Sequence, residues 1–391
     1  MSPLAHALGK QKATGLKKEI FILCSDPPEQ LGGVEACVRE QVRGFQERGY
    51  AVRVWHRENS VSPFYRRNER KMSHHITDTL AGYFIGRAAQ KAMHPEVAAV
   101  FSHSTVGWYP LRLPPGCKQF HLYHGTYRGQ AEAIRPYISF AGYMKLKWWD
   151  SMILERYSGR GKQVFCVSEL IRLEVKRLFG YDGITLGNPL DLTAFRPLDR
   201  RVCRESLGLP AEGPIAVFVG NTQPTKNFPV VLRLIEALPE IQWVLALRGG
   251  TEGLNGLAGN ARMMPNVPRT LIPQLYSAAD FSVCPSRYDA FPYSIPEALA
   301  CGLPVLSSLN GGSQQFLQEP PLDRLVIKDP DNIGAFISAA KELVARPDYY
   351  RQAVLDQVKP AVEAWMKPEN YWKRFGQLTE LWSSDARTAG A

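Results

Sequence analysis

The sequence predicts an α/β protein with two doubly wound, Rossmann-like domains. Its 391 residues are enough for two domains of ordinary size. From Glu19 onward, a short apolar run, a loop, an amphipathic helical pattern and a second apolar run form a parallel β-α-β unit. The same alternation begins again at Pro214. These observations indicate two sheets with helices on their faces.

The first strand is the apolar run Glu19 to Cys24, and the helix that follows it is expected to end at Gly49. Gly32-Gly33 stands at the start of this helix. Backbone N–H groups can approach a phosphate there because no side chain intervenes. The spacing is not that of GxGxxG, so no dinucleotide fingerprint is present, and a flexible loop is the alternative interpretation.

Strands are also predicted over residues 98–102 and 120–123, and the second of them ends in His124-Gly125. Ligands gather at the carboxyl ends of strands in open α/β sheets. His124 is therefore the preferred histidine for a binding or catalytic site, and His103 is the second choice. A structural histidine at a turn is the alternative for His124.

Residues 137–162 have the most unusual composition in the chain, since aromatic residues are interleaved with lysines and arginines. A basic amphipathic helix with interfacial aromatics can lie on a membrane. A long helix that packs on the sheet with its basic face in water is the alternative. No metal-ligand pattern or catalytic pair is evident in this segment.

In the second half, a strand ends at Gly220, and the loop after it contains Asn221 and Lys226. The strand over residues 241–248 ends in Arg248, which places a second cation at a strand end. A solvated loop lysine is the alternative interpretation of Lys226.

Residues 285–305 contain two carboxylates, Asp289 and Glu297, separated by a loop rich in proline and aromatic residues. Pro296 is predicted to be the first helical residue, which places Ser294 near the N-cap. Glu297 then lies in the first turn, where unpaired N–H groups favour anions. The loop can offer donors to phosphate and carboxylates to hydroxyls. An ordinary strand–loop–helix connection is the alternative.

Positive charge is concentrated in the first half, where residues 1–190 contain 27 Lys and Arg against 16 Asp and Glu. Such a half is expected to meet nucleic acid, an anionic lipid surface or a phosphorylated glycan. No nucleic-acid-binding motif accompanies the charge, so lipid or glycan is favoured. An ordinary solvated basic face is the alternative.

Seven cysteines without CxxC spacing indicate free thiols in a reducing compartment. No apolar run reaches the roughly 18 residues of a membrane span, and the first residues lack the apolar core of a signal peptide. The expected location is therefore cytoplasmic, with residues 1–18 as a basic N-terminal tail. Asp329-Pro330-Asp331 has DxD spacing but is typical of a helix-capping turn, so no metal is expected.

The segment around Asp289 and Glu297 resembles the signature of retaining glycosyltransferases of family 4, which have the GT-B fold. Glu297 and the tail EALACGLPV match the second glutamate of the family's Glu-x7-Glu pattern and the helix that it opens, whereas Asp289 replaces the first glutamate. Residues 188–191, Asn-Pro-Leu-Asp, resemble the segment that closes the family's first domain. Lys226 matches the family's phosphate-binding lysine, but Asn221 replaces its arginine.

The resemblance implies two Rossmann-like domains that face each other across a cleft. Residues 19–195 would form the acceptor domain, residues 196–368 the nucleotide-sugar domain, and residues 369–391 a C-terminal helix that returns to the first domain. The implied reaction is retaining, metal-independent transfer of a sugar from a nucleotide-diphosphate sugar to a hydroxyl of a glycan or lipid-linked acceptor. Cell-envelope or exopolysaccharide biosynthesis is the expected context. The donor is a substrate, so no cofactor is expected.

The resemblance also implies the roles of individual residues. His124 and Asp289 would act at the donor sugar, Glu297 would hold the ribose, and Arg248 would replace the arginine lost at Asn221. The complete set expected to bind the donor is Gly32, Gly33, Gly220, Asn221, Lys226, Arg248, Phe291, Pro292, Tyr293, Ser294 and Glu297.

Other functions compete with this one. A nucleotide-sugar epimerase or a sugar phosphorylase would share the fold, and Asn221 raises the possibility of a donor-binding relative without activity. Nucleic-acid binding is suggested only by the basic half and is not expected. The basic, aromatic segment 137–162 favours an anionic or lipid-linked acceptor and peripheral association with the inner face of the cell membrane.

Overall fold

The computed structural model describes residues 18–30, 32–62, 74–249 and 257–382, and it contains two six-stranded parallel sheets, which confirms the predicted fold class. The predicted N-terminal tail lies outside the described residues, apart from Lys18. The first sheet has the order β2-β1-β3-β4-β5-β6 and comprises β1 (Glu19–Leu23), β2 (Ala51–Trp55), β3 (Val97–His103), β4 (Lys118–Tyr123), β5 (Gln163–Cys166) and β6 (Ile184–Thr185). The second has the order β12-β11-β10-β7-β8-β9 and comprises β7 (Ile215–Gly220), β8 (Gln242–Leu247), β9 (Ala261–Pro265), β10 (Phe281–Cys284), β11 (Val305–Ser308) and β12 (Val326–Ile327).

The strand order of each sheet reverses beside its first strand. In the first sheet the reversal lies between β1 and β3, and in the second it lies between β7 and β10. The chain leaves the carboxyl ends of the two flanking strands in opposite directions at such a point, so a crevice opens there. Both crevices are formed by loops in which the sequence predicts site residues.

The central strands are apolar because helices cover both faces of each sheet. All residues of β1 and β10 are buried, whereas the edge strand β2 is more exposed. The helices of the first half are α1 (Gly33–Glu47), α2 (Arg57–Ser60), α3 (His74–Lys91), α4 (Tyr127–Ala133), α5 (Phe140–Met144), α6 (Arg156–Gly159) and α7 (Glu169–Phe179). The later helices are α8 (Arg200–Ser206), α9 (Phe228–Ala237), α10 (Ile272–Ala278), α11 (Ser294–Ala300), α12 (Ile333–Ala345), α13 (Pro347–Ala353), α14 (Lys359–Met366) and α15 (Pro368–Thr379).

None of the helices in the described part of the chain combines the length and the apolar composition that crossing a bilayer requires. All seven cysteines are free, as the sequence predicts. Most of the segment predicted to be one long helix over residues 137–162 is helical without interruption from Phe140 to Gly159, but its middle part, Lys145–Glu155, is a π-helical stretch that joins α5 to α6.

Helix α11 begins two residues earlier than the sequence predicts. Tyr293 already has helical backbone angles and is the N-cap, so Ser294 rather than Pro296 is the first helical residue. The amide of Glu297 donates to the carbonyl of Tyr293 at 2.9 Å, which is the first bond of the helix. Pro296 therefore still occupies a position where no amide hydrogen is needed.

The last helix, α15, packs on the first sheet rather than on the second. The Phe45 ring lies 5.4 Å from the ring of Trp372 and 5.6 Å from that of Phe375, and Phe101 also contacts Phe375. The two halves of the chain are therefore joined by a buried aromatic cluster. Gly44 permits this contact, since a Cβ atom there would lie 1.8 Å from the Trp372 ring.

We expect Gly44→Ala to destabilise the protein by about 1–3 kcal/mol, because the added methyl group overpacks the contact between α1 and α15. The matched control is Gly334→Ala on α12, where the nearest atom to a Cβ is at 3.6 Å. Alanine normally stabilises a helix relative to glycine, so the control is expected to match or exceed the wild type. Thermal unfolding measures both variants, and an unchanged Tm for Gly44→Ala would contradict the packing.

Candidate functional site

A cavity of about 340 Å³ lies between the carboxyl ends of the two sheets. The first half contributes the start of α1, the end of β4 and the start of α4. The second half contributes the loop after β7 and the loop after β10. The lining residues that the sequence predicts for a site are Gly33, His124, Lys226, Asp289, Phe291 and Tyr293.

Lys226 and Asp289 form an ion pair inside this cavity. The Asp289 carboxylate also accepts from the Phe291 amide at 3.3 Å. Burial alone would lower the pKa of Lys226, but the adjacent carboxylate more than offsets this and raises it. Lys226 therefore carries a full positive charge in the cavity, balanced by Asp289.

The loop that carries Asp289 is held by the first half of the chain. The Tyr288 hydroxyl accepts from the Thr126 amide at 2.8 Å and donates to Glu174 at 2.9 Å. Ser168 Oγ donates to the Ala290 carbonyl at 2.6 Å. Because one bond lies on each side of Asp289 in sequence, they fix the position of its carboxylate.

His124 lies at the end of β4 and lines the cavity. Its Nε2 is 2.8 Å from Nδ1 of His103, so the first and second choices among the histidines are in direct contact. Burial lowers the pKa of His124 to about 4. The imidazole is therefore neutral at neutral pH.

Gly32 and Gly33 are placed where the sequence predicts them. Gly32 is the N-cap of α1, and Gly33 lines the cavity with open space around the position of a Cβ atom. The first amides of a helix have no intrahelical acceptor and carry partial positive charge. This helix start can therefore receive an anion from the cavity.

Glu297 is not among the residues that line the cavity. It is 4% exposed and forms a salt bridge of 2.7 Å with Arg269. Burial raises the pKa of Glu297 to about 7, although Arg269 opposes the shift. Arg269 lies over the Phe195 and Tyr293 rings, and Tyr293 connects this pair to the cavity wall.

The other predicted residues do not line the cavity. Gly220 ends β7, and its carbonyl accepts from the Arg248 amide at 2.8 Å, while the Arg248 side chain is exposed. The Asn221 side chain accepts from the Gln223 amide at 3.2 Å and so closes a turn. Pro292 and Ser294 precede and begin α11.

Sequence reasoning missed several residues of the cavity, above all Glu155. This glutamate ends the π-helical stretch and is 3% exposed, and both carboxylate oxygens are 3.0 Å from the Tyr127 amide. Burial raises its pKa well above the ordinary value. No local sequence pattern predicts this position, because the direction of the Glu155 side chain depends on the π-helical stretch. Tyr288 was also missed, although it immediately precedes the predicted Asp289.

Among the described residues, no three His, Cys, Asp or Glu side chains are grouped so that they could share a metal ion. Asp329 accepts from the Asp331 amide at 3.0 Å, and Asn332 caps α12. This segment thus forms a capping turn. The expectation of a metal-independent site remains a prediction.

Glu297→Gln is expected to flatten the pH dependence of stability. The native carboxyl holds its proton to about pH 7 rather than 4.5, so the native state binds more protons than the unfolded chain between these values. Stability then falls as the pH rises through this window, on the order of 2 kcal/mol for this group. The exposed Glu319→Gln is the control. Urea unfolding between about pH 5 and pH 8 measures the slope, and an unchanged slope in Glu297→Gln would contradict the assignment.

Comparisons with known proteins agree with this architecture. Residues 31–193 match the family described as Glycosyltransferase Family 4, and residues 199–354 match Glycosyl transferases group 1. A D-inositol 3-phosphate glycosyltransferase of Mycobacterium leprae is 32% identical over 169 residues, which are 40% of this chain and 39% of that relative. The aligned part is therefore less than half of either protein.

Solved structures share the fold over nearly the whole chain. Sucrose-phosphate synthase of Thermosynechococcus elongatus has a TM-score of 0.74 at 18% identity and covers 93% of this chain and 98% of its own. HepE of Anabaena, solved in complex with UDP-glucose, has a TM-score of 0.63 at 13% identity and covers 92% and 98%. Since the two family matches fall one in each half and together contain every strand of the two sheets except β1, the chain belongs to glycosyltransferase family 4, with the group 1 glycosyl transferase match in its second half.

Proposed function

We propose that the protein transfers a sugar from a nucleotide-diphosphate sugar to a hydroxyl of an acceptor. The observation that carries this proposal is the cavity between the two sheets, where a charged lysine, a helix start and a neutral histidine lie together. The names of the relatives support it, since one is a D-inositol 3-phosphate glycosyltransferase and another structure contains UDP-glucose. Retention of configuration and independence from metal are part of the proposal.

Lys226 and the first amides of α1 would hold the diphosphate. Negative charge grows on this leaving group in the transition state, so these fixed donors lower the barrier. Lys226 is paired with Asp289 in the structure. A diphosphate would take over Lys226 and free the Asp289 carboxylate to accept from hydroxyls of the transferred sugar.

Glu297 would hold the ribose hydroxyls, as the resemblance implies. The Arg269 guanidinium caps it in the structure and is itself 58% exposed in its side chain. An exposed arginine remains solvated when it swings aside, but the buried Glu297 carboxylate then needs new hydrogen-bond donors. Donor binding would then replace Arg269 by ribose hydroxyls at Glu297.

No protein residue is assigned as the general base. In the proposed reaction the donor phosphate removes the proton from the attacking hydroxyl on the same face of the sugar. A glycoside hydrolase would need two carboxylates facing each other across the bond. Asp289 lines the cavity but Glu297 does not, so this pair does not provide that geometry.

The acceptor is proposed to be a lipid-linked or anionic glycan that the first half of the chain binds at the inner face of the cell membrane. Five aromatic side chains of segment 137–162 are exposed, and the most exposed are Phe140 at 67%, Trp148 at 52% and Tyr157 at 50%. The adjacent Arg156 and Arg160 are exposed as well. Aromatic and basic side chains together suit the boundary between lipid headgroups and acyl chains.

Asn221 favours a second candidate, a donor-binding relative without turnover. Among the described residues that line the cavity, Lys226 is the one cationic side chain. Product analysis with a panel of nucleotide sugars and acceptors separates the possibilities. A glycosylated acceptor supports transfer, free epimer or sugar phosphate supports the other enzymes, and binding without any product supports the inactive relative.

Lys226→Ala and Glu297→Ala are each expected to weaken donor binding by about 10–100-fold, since each removes a charged hydrogen-bonding group. His124→Ala is expected mainly to slow turnover. The matched control is Lys341→Ala, which removes an exposed lysine from α12. Thermal shift with nucleotide-diphosphate sugars measures affinity by mass action, and wild-type affinity in Glu297→Ala would contradict its place in the donor site.

Binding to vesicles tests the membrane proposal. Phe140→Ala/Trp148→Ala is expected to reduce sedimentation with vesicles that contain phosphatidylglycerol by about tenfold, because two apolar side chains lose their burial in lipid. Pure phosphatidylcholine should bind less protein. Leu173→Ala removes an equally exposed apolar side chain from α7 and is the control. Binding that depends on neither the anionic lipid nor the aromatic pair would contradict the proposal.

A further inference from the structure

Three side chains form a buried row of hydrogen bonds that ends at the cavity. Gln41 lies on α1, His103 ends β3, and His124 follows β4. Gln41 Oε1 is 3.0 Å from His103 Nε2, and His103 Nδ1 is 2.8 Å from His124 Nε2. His103 is 0% exposed and Gln41 1%. The row therefore leads from the buried Gln41 and His103 to His124, which is partly exposed at the wall of the cavity.

The chemistry of these groups decides which nitrogen carries each proton. The amide oxygen of Gln41 can only accept, so Nε2 of His103 must be protonated. Burial lowers the pKa of His103 well below its ordinary value, and His124 lowers it further, so the ring is neutral. Nδ1 of His103 then has a lone pair and must accept from Nε2 of His124.

The proton on Nε2 leaves Nδ1 of His124 as a hydrogen-bond acceptor. Among the described residues Nδ1 has no hydrogen-bond partner, and the ring lines the cavity. A neutral imidazole in this tautomer can take a hydrogen bond from a hydroxyl but cannot donate one to an oxyanion.

We propose that Gln41 and His103 are positioning residues that hold His124 as its Nε2-protonated tautomer, so that Nδ1 accepts a hydrogen bond from a hydroxyl of the transferred sugar. This inference rests on the proposed glycosyl transfer for the identity of the hydroxyl. It specifies a ligand class for this wall of the cavity, namely a neutral polyol rather than a phosphate, since a lone pair repels an anion.

Titratable groups surround the row on several elements. Those that face it across the cavity or pack against it are Glu155, Lys226, Asp289, His121, Lys162 and Tyr371. His121 bonds Ser102 at 2.9 Å and takes no part in the row. Ser102→Ala therefore removes a buried histidine contact from the same strand end while leaving the row intact.

The direct test is ¹⁵N NMR of the full chain labelled with [¹⁵N]histidine. We expect a lone-pair signal for Nδ1 of His124 and a protonated signal for Nε2 in the wild type and in Ser102→Ala. Gln41→Met removes the acceptor that orients the row and is expected to yield a mixture of tautomers. A protonated Nδ1 on His124 in the wild type overturns the inference. This readout does not depend on activity, so it decides the tautomer even if no sugar transfer is found.

Kinetics test the positioning role. Gln41→Met is expected to lower kcat by about tenfold with little change in the donor KM, because an interaction at the reacting sugar is lost while diphosphate binding remains. Gln41→Glu places a carboxylate beside His103 and so favours protonation of the paired histidines. The acid limb of the kcat profile should therefore move to higher pH by about one unit. Wild-type kcat in Gln41→Met, despite mixed tautomers, overturns the role, as does an unshifted limb in Gln41→Glu.

Discussion

The site depends on the attachment of one loop of the second half to two helix starts of the first. Tyr288 bonds the amide that begins α4, and the Ala290 carbonyl is bonded by Ser168, the N-cap of α7. Asp289 lies between them, so its carboxylate can only point into the space between the sheets. Gly312 allows the close approach, since a Cβ there would lie 1.8 Å from the Ala290 carbonyl oxygen. The two halves of the chain thereby share one cavity.

The charged side chains in and beside this cavity form ion pairs, and a ligand could replace one partner of each pair. Two buried charges without partners would cost several kcal/mol each, so Lys226 pairs with Asp289 and Glu297 with Arg269. In the proposed complex a diphosphate would replace Asp289 beside Lys226, and ribose hydroxyls would take over the hydrogen bonds of Arg269 at Glu297. Because these pairs hold the side chains in place before any donor arrives, little conformational entropy would be lost on the proposed donor binding. Glu155 has no such cationic partner among the described residues. Burial favours its neutral form, and both of its oxygens accept from the Tyr127 amide at the start of α4.

Much of this arrangement follows from local sequence, because parallel strands bring their carboxyl ends to one edge. Gly33, His124, Lys226 and Asp289 each follow a strand, and topology alone places them together. The direction in which a side chain points around a helix axis is harder to predict from sequence. Glu297 lies one turn along α11 and faces Arg269 instead of the cavity. Glu155 lines the cavity because the π-helical stretch changes the direction in which its side chain leaves the helix. The contact between His103 and His124 was not foreseen because it joins the ends of two strands through side-chain direction, which strand patterns do not specify.

Because Asn221 stands where family 4 has an arginine, more of the proposed contacts to the donor diphosphate would come from the first half of the chain. Asn221 uses its side chain to close a turn, and Arg248, though close enough to lower the pKa of Lys226 slightly, is exposed outside the cavity lining. With Lys226 as the one cation among the described residues of the lining, the second charge of the proposed diphosphate would be bound by the amides at the start of α1. Those amides belong to the other half of the chain. Stabilisation of the leaving group would then require the two halves to stay closed, and the bonds of Tyr288 and Ala290 supply that closure.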